Sequence, residues 1–493
     1  MPILIEHITQ VVVAIFILVL LANGVLVGIA VARRQRRERY FNRIDTLRHE
    51  YSPIIQGVVN GSLEYEKGLA ALGGITGLDR EFVLEQLCLE IPSGPRQVPT
   101  LRKLCEDLGL VKTWQRHLAG EFDVATLRMA LARPEGLIQR VSRLSFLRQA
   151  KCAENLGVIR HQPSWQHLIK ALRGTHQDVQ SAALRALAAI AEPASFPALV
   201  ETLHEVILKP ELPLSLRSVK TALVNFPLFQ AVGLMGSLEN SHPRIRFLAT
   251  DIIREMVDRD AAAFEDFVLE PSNFAPELID LFLTRMCFDE SADVRARSAS
   301  VIAYLEDPRV VPVLLTLLED PLWFVRLHTV RALSARKYQP QAPQIALRLT
   351  DENWMVREAA AKALLAFGQL GLNHLYEHFL GTQDRYSREQ IADAMQRGGL
   401  IPDLLNDYGN APDGREGKVI EQLARMGKTS YLLTVLVRSP DRILRKKFLQ
   451  QFGNDQDPQI KSWVWDVAHR ETDDELRGMA RANLEPTAPQ GDA

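Results

Sequence analysis

Apolar and polar residues follow a helical period through most of this chain, and from about residue 140 the helices themselves repeat. Four segments align without gaps, and each carries an arginine 31 residues after the last: Arg295, Arg326, Arg357 and Arg388. Apolar positions recur in step with them: Ile302, Leu333, Leu364 and Met395. Two helices per repeat form a hairpin that can bury its apolar face only against neighbouring hairpins. The pattern predicts an all-α solenoid of helical hairpins over residues 136–483.

A second pattern lies near the N-terminus, where the run from Val11 to Ala32 contains no charged residue. As a helix it would rise about 33 Å, which is enough to cross a hydrocarbon core of about 30 Å. The run predicts a single transmembrane helix within residues 1–32. Five arginines follow it: Arg33, Arg34, Arg36, Arg37 and Arg39. Because positive charge stays inside, they predict an inner-membrane protein with its N-terminus outside and its repeats cytoplasmic.

Three residues within that run suggest a packing face. Gly24 and Gly28 are four residues apart and Asn23 is adjacent, a pattern that lets two membrane helices approach closely. The pattern would support a homodimer or contact with a partner's helix. The alternative is that glycines are common in membrane helices and that this spacing has no role. The arginine cluster has an equally simple explanation as a topology determinant near lipid phosphates.

The residues between the apolar run and the repeats do not follow the period. Residues 33–135 predict a basic juxtamembrane segment followed by a helical subdomain, since apolar residues recur there at spacings of three and four. The break from Pro92 to Pro99 predicts a loop. At the other end, residues 484–493 are polar and proline-rich, which predicts a disordered tail.

The repeated segments resemble a known family. DPLWFVRLHTVRAL, from Asp320 to Leu333, and DENWMVREAAAKAL, from Asp351 to Leu364, resemble the bacterial HEAT repeat, including its short phycobilisome-lyase-like form. The resemblance covers roughly residues 140 to 450 and implies a helical solenoid. It also implies that the aspartate and arginine of each unit form a ladder with neighbouring units. Arg295, Arg326, Arg357 and Arg388 are therefore expected to be structural.

Charge and cysteine usage narrow the function. The chain has 58 Lys and Arg against 60 Asp and Glu, a formal net charge of -2, which gives no general attraction to nucleic acid. Residues five positions after the ladder arginines alternate in sign, which is typical of a solvated face. We therefore expect no nucleic-acid partner. Four cysteines lie far apart and are interpreted as buried apolar residues in a reducing compartment: Cys88, Cys105, Cys152 and Cys287.

No motif for catalysis or metal binding is recognisable. The sequence has no H-E-x-x-H, no Walker-A loop, no G-x-S-x-G and no zinc-ligand spacing. The His-Glu pairs at His49 and His204 fall at unrelated phases of the repeat, and His161 and His167 lie on different helical faces. We expect no catalytic residue, metal or cofactor. The alternative that the resemblance leaves open is a HEAT-like lyase or metal-dependent hydroxylase.

One aromatic group suggests a binding surface. Trp323 and Trp354 occupy the same repeat position, and Phe324 follows the first of them. Exposed aromatics at such positions are favoured as interface anchors. The alternative is that each tryptophan caps the turn within its hairpin and packs on the next unit. The predicted function is a membrane-anchored, non-enzymatic scaffold for a membrane-associated protein partner such as an envelope glycosyltransferase.

Overall fold

The computed structural model describes residues 2–75, 83–84, 89, 94, 96–121, 137–209, 211–264 and 267–484. Side chains are described for these residues except 2–22, 33, 36, 37, 40, 44 and 137–144. This part of the chain is helical and forms no sheet, although an isolated parallel bridge joins Leu269 to Leu305. The observation agrees with the predicted helical repeats. Contacts divide the chain into two compact units, Met1–Pro227 and Leu228–Ala493.

The first unit begins with a single long helix. Its helices are α1 Pro2–Asn60, α2 Tyr65–Gly73, α3 Val98–Asp107, α4 Leu110–Leu118, α5 Leu137–Val158, α6 Trp165–Leu172, α7 Gln177–Ile190, α8 Phe196–Leu208 and α9 Leu216–Val224. The last turns of α1 are packed: Ile55, Val58 and Val59 are buried where α1 contacts α2 and α3. Further along, α5 packs on both α4 and α7. In the second half of this unit, the helices therefore already stack on one another.

The second unit contains the regular repeats. Its helices are α10 Met235–Leu238, α11 Pro243–Ala263, α12 Pro276–Thr284, α13 Ala292–Ile302, α14 Val310–Leu318, α15 Trp323–Ala335, α16 Ala342–Ala346, α17 Trp354–Ala366, α18 Gln369–Gly381, α19 Arg385–Arg397, α20 Ile401–Asn410, α21 Arg415–Arg425, α22 Thr429–Leu436, α23 Arg442–Phe452, α24 Pro458–Arg470 and α25 Asp474–Leu484. Short 3₁₀ turns connect them at Leu228–Leu234, Met286–Phe288, Gln339–Gln341 and Leu347–Thr350.

The second helix of each hairpin stacks on the second helix of the next. The row runs α11, α13, α15, α17 and α19, with each helix packed on its neighbour. Each ladder arginine is the fourth residue of its helix, so the 31-residue period places equivalent side chains at equivalent heights. Val325 and Leu333 are fully buried within this row, as are their equivalents Val356 and Leu364. We call the outward surface of α11, α13, α15, α17 and α19 the second-helix face.

The predicted transmembrane helix requires correction. In the part of the chain that the structure describes, no helix is both long enough and apolar enough to cross a bilayer. Residues 11–22 lie outside those with described side chains. The finding overturns both the membrane-spanning element of the fold class and the predicted single-pass placement in the inner membrane.

The three residues of the predicted packing face have no packing partner among the described residues. Asn23, Gly24 and Gly28 are exposed, and a methyl group at either glycine would meet nothing within 4 Å. The structure therefore gives no support to the predicted dimer face. Among the arginines, Arg34 and Arg39 are exposed, and the Nε atom of Arg34 donates to Glu38 at 3.0 Å. The side chains of the other three, Arg33, Arg36 and Arg37, lie outside the described residues.

The remaining boundaries stay predictions. The compact units divide at Pro227, within the predicted repeat domain, and no observation tests the predicted limits at residues 32, 135 and 483. Arg246 is the fourth residue of α11 and so corresponds to the ladder arginines, but Arg295 follows it after 49 residues instead of 31. The loop after α11 accounts for part of this gap, and its Leu269 amide donates to the carbonyl of Tyr304 at 2.9 Å. The predicted disordered tail lies outside the described residues after Leu484.

Candidate functional site

The ladder arginines occupy a buried seam between second helices. Arg326 donates from Nε and Nη2 to the two carboxylate oxygens of Asp351, at 2.7 and 2.8 Å. Its Nη1 also donates to the carbonyl of Asp320 at 2.8 Å, six residues earlier. Asp320 in turn accepts two bonds from Arg295, at 2.7 and 3.1 Å. Each arginine thus ties its own loop to the loop of the next unit.

The seam changes at α17. Arg357 donates to Gln390 at 2.8 Å, and Arg388 donates to the carbonyl of Thr382 at 2.9 Å. The position six residues before each ladder residue explains the difference, because it holds Asp351 in one unit but Thr382 in the next. A carboxylate is absent where threonine replaces aspartate, so Arg357 turns to an amide on α19. The seam regains an acid at Glu471, which pairs with Arg445.

Large aromatic side chains remain exposed at the start of three successive second helices. Trp354 is the first residue of α17 and is 55% exposed, and Tyr386, at the second position of α19, is 70% exposed. Trp323 begins α15 and is 38% exposed, with its ring edge-to-face on Phe324 at 5.9 Å. Phe324 itself is half-buried. Since neighbouring helices pack about 8–10 Å apart, these rings form one edge, the aromatic edge: Trp323, Trp354 and Tyr386.

A groove lies between α15 and α17 on the second-helix face. It has a volume of about 300 Å³. The residues that line it are Arg331, Ser334 and Ala335 from α15 and Met355, Glu358, Ala359 and Lys362 from α17. Met355 is adjacent to Trp354 in the chain, so the groove opens near the aromatic edge. We call this set the α15–α17 groove.

A network of charged and polar side chains joins three successive second helices: α11, α13 and α15. Arg297 on α13 lies between Asp251 on α11, with Nε to Oδ1 at 3.0 Å, and His328 on α15, with Nη1 to Nε2 at 3.2 Å. Arg254 also donates to Asp251 at 3.0 Å. Because an arginine only donates, His328 must be neutral at Nε2 to accept. The network links three second helices through the charged groups of Asp251 and Arg297 and the neutral imidazole of His328.

The environment of His328 predicts a loss of stability in acid. Burial, followed by the charges of Arg297, Arg331 and Arg254 against the opposing charge of Asp251, lowers the pKa of His328 from 6.5 to about 4. The unfolded chain therefore binds the proton more readily, and the contribution to stability is complete above pH 6.5 and lost as the pH falls towards 4. His328→Asn should reduce the fall in Tm between pH 7 and pH 4.5.

The matched control for this prediction is His49→Asn, because His49 is exposed on α1 and faces no such network. Thermal unfolding followed by circular dichroism at five pH values gives the slopes. Identical slopes for the wild-type chain and His328→Asn would contradict the prediction.

His161, another histidine that the sequence singled out, lies in a hydrogen-bonded cluster within the core. His161 Nδ1 lies 2.7 Å from Ser164 Oγ, and its Nε2 lies 3.4 Å from Glu106. Ser164 has no exposed surface and accepts from Gln115 at 2.9 Å, so its hydroxyl cannot meet a substrate. This cluster ties α3 and α4 to the start of α6. No group of three or more metal-ligating side chains occurs within the described ranges.

The cysteines within the described residues are buried and form no disulfide with one another: Cys105, Cys152 and Cys287. Burial raises the pKa of the Cys287 thiol well above its ordinary value, which makes it unreactive. Cys88 lies outside the described residues. These thiols are therefore packing groups in the helical core.

Sequence reasoning found the aromatic edge in part but missed the groove and the network. Trp323 and Trp354 were found because they share a repeat position, whereas Tyr386 is displaced by one residue in the alignment. Arg331 and Lys362 were seen only as members of a row of mixed charge. To distinguish these two cations from the acids of the same row, one must know which residues neutralise the acids, and that depends on tertiary contacts.

Comparison with known families agrees with the repeat geometry. Residues 276–349 match the description HEAT repeats, residues 343–370 match HEAT repeat, and residues 179–205 match PBS lyase HEAT-like repeat. No curated protein matches the chain. The matched segments coincide with the regular hairpins of the second unit and with α7 and α8 of the first.

Several solved structures are similar at low identity. An Escherichia coli protein, YIBA, is 15% identical over 65% of this chain and 97% of its own, with a TM-score of 0.28. Kap95p in complex with RanGDP is 14% identical over 88% of this chain, with a TM-score of 0.38, and this chain spans 60% of it. Human deoxyhypusine hydroxylase is 18% identical over 72% of this chain and 98% of its own, with a TM-score of 0.22. Likeness at this level says nothing about what this chain binds. The helical hairpins at residues 179–205 and 276–370 are thus similar in sequence to HEAT repeats.

Proposed function

We propose that this chain is a non-enzymatic scaffold that binds a protein partner through the aromatic edge and the adjoining second-helix face. The observation that carries the proposal is the exposure of Trp354, whose ring begins α17 beside an open groove. Tryptophan and tyrosine bury large areas when a partner covers them, and they are enriched among residues that dominate binding energy. Leaving a row of such apolar rings in water is unfavourable, and a partner that covers the rings would remove this cost.

The proposal concerns a protein partner in general. The expectation of a membrane enzyme such as a glycosyltransferase depended on the transmembrane helix, which the described chain does not support. A lyase or hydroxylase activity is not taken up either, because no described cluster of side chains favours one. What remains is a repeated helical surface with one exposed aromatic edge.

Replacing Trp354 with alanine should weaken partner binding by tenfold or more, which is the scale of a residue at the centre of an interface. The Tm should change little, because more than half of the ring is already exposed. Chemical cross-linking in the native cell followed by mass spectrometry identifies the partner. The affinity of the purified pair is then measured by calorimetry for the wild-type chain and for Trp354→Ala.

Trp465→Ala is the matched control, because Trp465 is 49% exposed but lies on α24 and stacks on His469. The control should bind as the wild type does. For Trp323→Ala, a lowered Tm with undiminished binding would support the alternative in which this ring packs within its own hairpin. Undiminished binding by Trp354→Ala, or no partner at all, would reject the scaffold proposal.

A further inference from the structure

We infer that the α15–α17 groove receives an acidic segment of the protein partner, with a carboxylate between Arg331 and Lys362 and an apolar side chain on Met355. The inference rests on the proposed function and adds the chemistry of the partner. It follows from the charges that line the groove, from the neighbours that neutralise the surrounding acids, and from the groove's apolar floor.

Uncompensated positive charge lines the groove. Arg331 is exposed and makes no hydrogen bond or ion pair within the described part of the chain. Lys362 lies 3.0 Å from Glu358, the single carboxylate of the lining. That carboxylate also accepts from Arg397 on α19 at 3.0 Å, so two cations share one anion. These four groups together carry a surplus of positive charge that a carboxylate would complement.

The acids in line with Arg331 and Lys362 are already satisfied. At the same repeat position, Asp251 holds Arg254 and Arg297, and Asp393 accepts from Lys428 at 3.1 Å and from Tyr431 at 2.8 Å. The row alternates in sign in the sequence, but its acidic residues are paired with cations in the structure. The acids at the two ends of the row are neutralised by other elements, whereas in its middle Arg331 makes no ion pair among the described residues and Lys362 shares Glu358 with Arg397.

Three of the residues that line the groove are apolar, and we call them its apolar floor: Ala335, Met355 and Ala359. Ala335 and Ala359 leave room between the helices, and Met355 adds a flexible apolar side chain that adapts to an incoming group. A volume of about 300 Å³ accommodates one or two side chains rather than a whole element. Trp354 directly precedes Met355 in the chain. An acidic residue followed by an apolar one fits this order of charge, floor and ring.

A nucleic acid fits the same surface less well. A phosphate track needs cations at several consecutive positions, whereas this row contains Ser300 before Arg331 and the paired Asp393 after Lys362. The formal net charge of -2 adds no general attraction. An acidic protein segment needs only the two central cations.

The test uses the full chain and three fluorescein-labelled peptides of ten residues. The first contains four glutamates, two leucines and glycine spacers, and its twins carry glutamine or lysine in place of every glutamate. By fluorescence anisotropy, the acidic peptide should bind at least tenfold more tightly than the glutamine twin. The R331E/K362E variant should lose that binding and gain affinity for the lysine twin.

The control is R425E/R470E, which changes the net charge by the same amount at exposed arginines on α21 and α24. It should bind the acidic peptide as the wild type does. Equal affinity for the acidic and glutamine peptides, or equal loss in the control, overturns the inference. Tighter binding of a decathymidine oligonucleotide overturns it too. If circular dichroism shows that the double charge reversal lowers helicity, Arg331→Gln replaces it, and an unchanged affinity in that variant counts against the inference.

The two proposals fail in different ways. Partner binding that depends on Trp354 but survives R331E/K362E leaves the scaffold in place and removes the acidic segment. Selective binding of the acidic peptide without any Trp354-dependent partner supports the groove and rejects the aromatic edge.

Discussion

Arg326→Ala should lower the free energy of unfolding by about 3–5 kcal/mol, the cost of leaving one member of a buried ion pair without its partner. Arg326 is 8% exposed and Asp351 is 9% exposed, so little water can replace the guanidinium. Burial alone would raise the pKa of Asp351, but the bonds from Arg326 outweigh it and hold the pKa below its ordinary value. The lost arginine therefore strands a charged carboxylate between α15 and α17.

Two further variants make this prediction specific to the pair. Arg388→Ala should cost only about 1 kcal/mol, because Arg388 bonds a carbonyl and an amide rather than a carboxylate. The double variant R326M/D351L should recover much of the loss, since apolar residues of similar size can replace a buried pair. Urea unfolding followed by circular dichroism measures all three. Equal losses in Arg326→Ala and Arg388→Ala would show that the carboxylate contributes nothing.

Gly371→Ala should destabilise the second unit by about 1–3 kcal/mol, the usual cost of forcing an extra methyl group into a packed interface. A Cβ atom at Gly371 would lie 2.0 Å from the carbonyl oxygen of Leu364 and 2.8 Å from its carbonyl carbon. Both atoms belong to the backbone of α17, so no side-chain rotation relieves the contact. The start of α18 and the end of α17 would have to separate.

Gly381→Ala is the control, because it lies at the end of the same helix and its methyl group would meet nothing within 4 Å. Alanine is the better helix former, so this variant should be unchanged or stabilised by up to about 1 kcal/mol. Thermal unfolding of both variants gives the comparison. A loss in Gly381→Ala as large as that in Gly371→Ala would mean that helix propensity rather than close approach sets the effect.

The agreement between the sequence and the fold is greatest where the repeat is strict. The 31-residue period placed Arg295, Arg326, Arg357 and Arg388 at equivalent positions, and each is the fourth residue of a second helix. The helical period is a local property of a repeated sequence, so it can be predicted from the sequence. The N-terminal assignment was wrong, because no helix in the described part of the chain is both long enough and apolar enough to cross a bilayer.

The candidate site was less accessible to sequence reasoning. Trp323 and Trp354 could be paired by their common position, but their exposures of 38% and 55% depend on what the neighbouring helices leave uncovered. The charge row shows the same limit. Asp393 and Arg331 are equivalent in the repeat. The aspartate accepts hydrogen bonds from Lys428, just before α22, and from Tyr431 on α22, whereas Arg331 makes no ion pair among the described residues.

By itself, then, the sequence determined the helical hairpin, its period and the residues at the centre of each unit, because apolar spacing and loop residues act over a few positions. Tertiary structure alone decided which carboxylate each arginine meets and that Gly371 must lack a side chain. It also decided that Lys362 shares Glu358 with Arg397, while Arg331 makes no ion pair among the described residues. These properties depend on contacts between residues tens of positions apart, which no local pattern encodes.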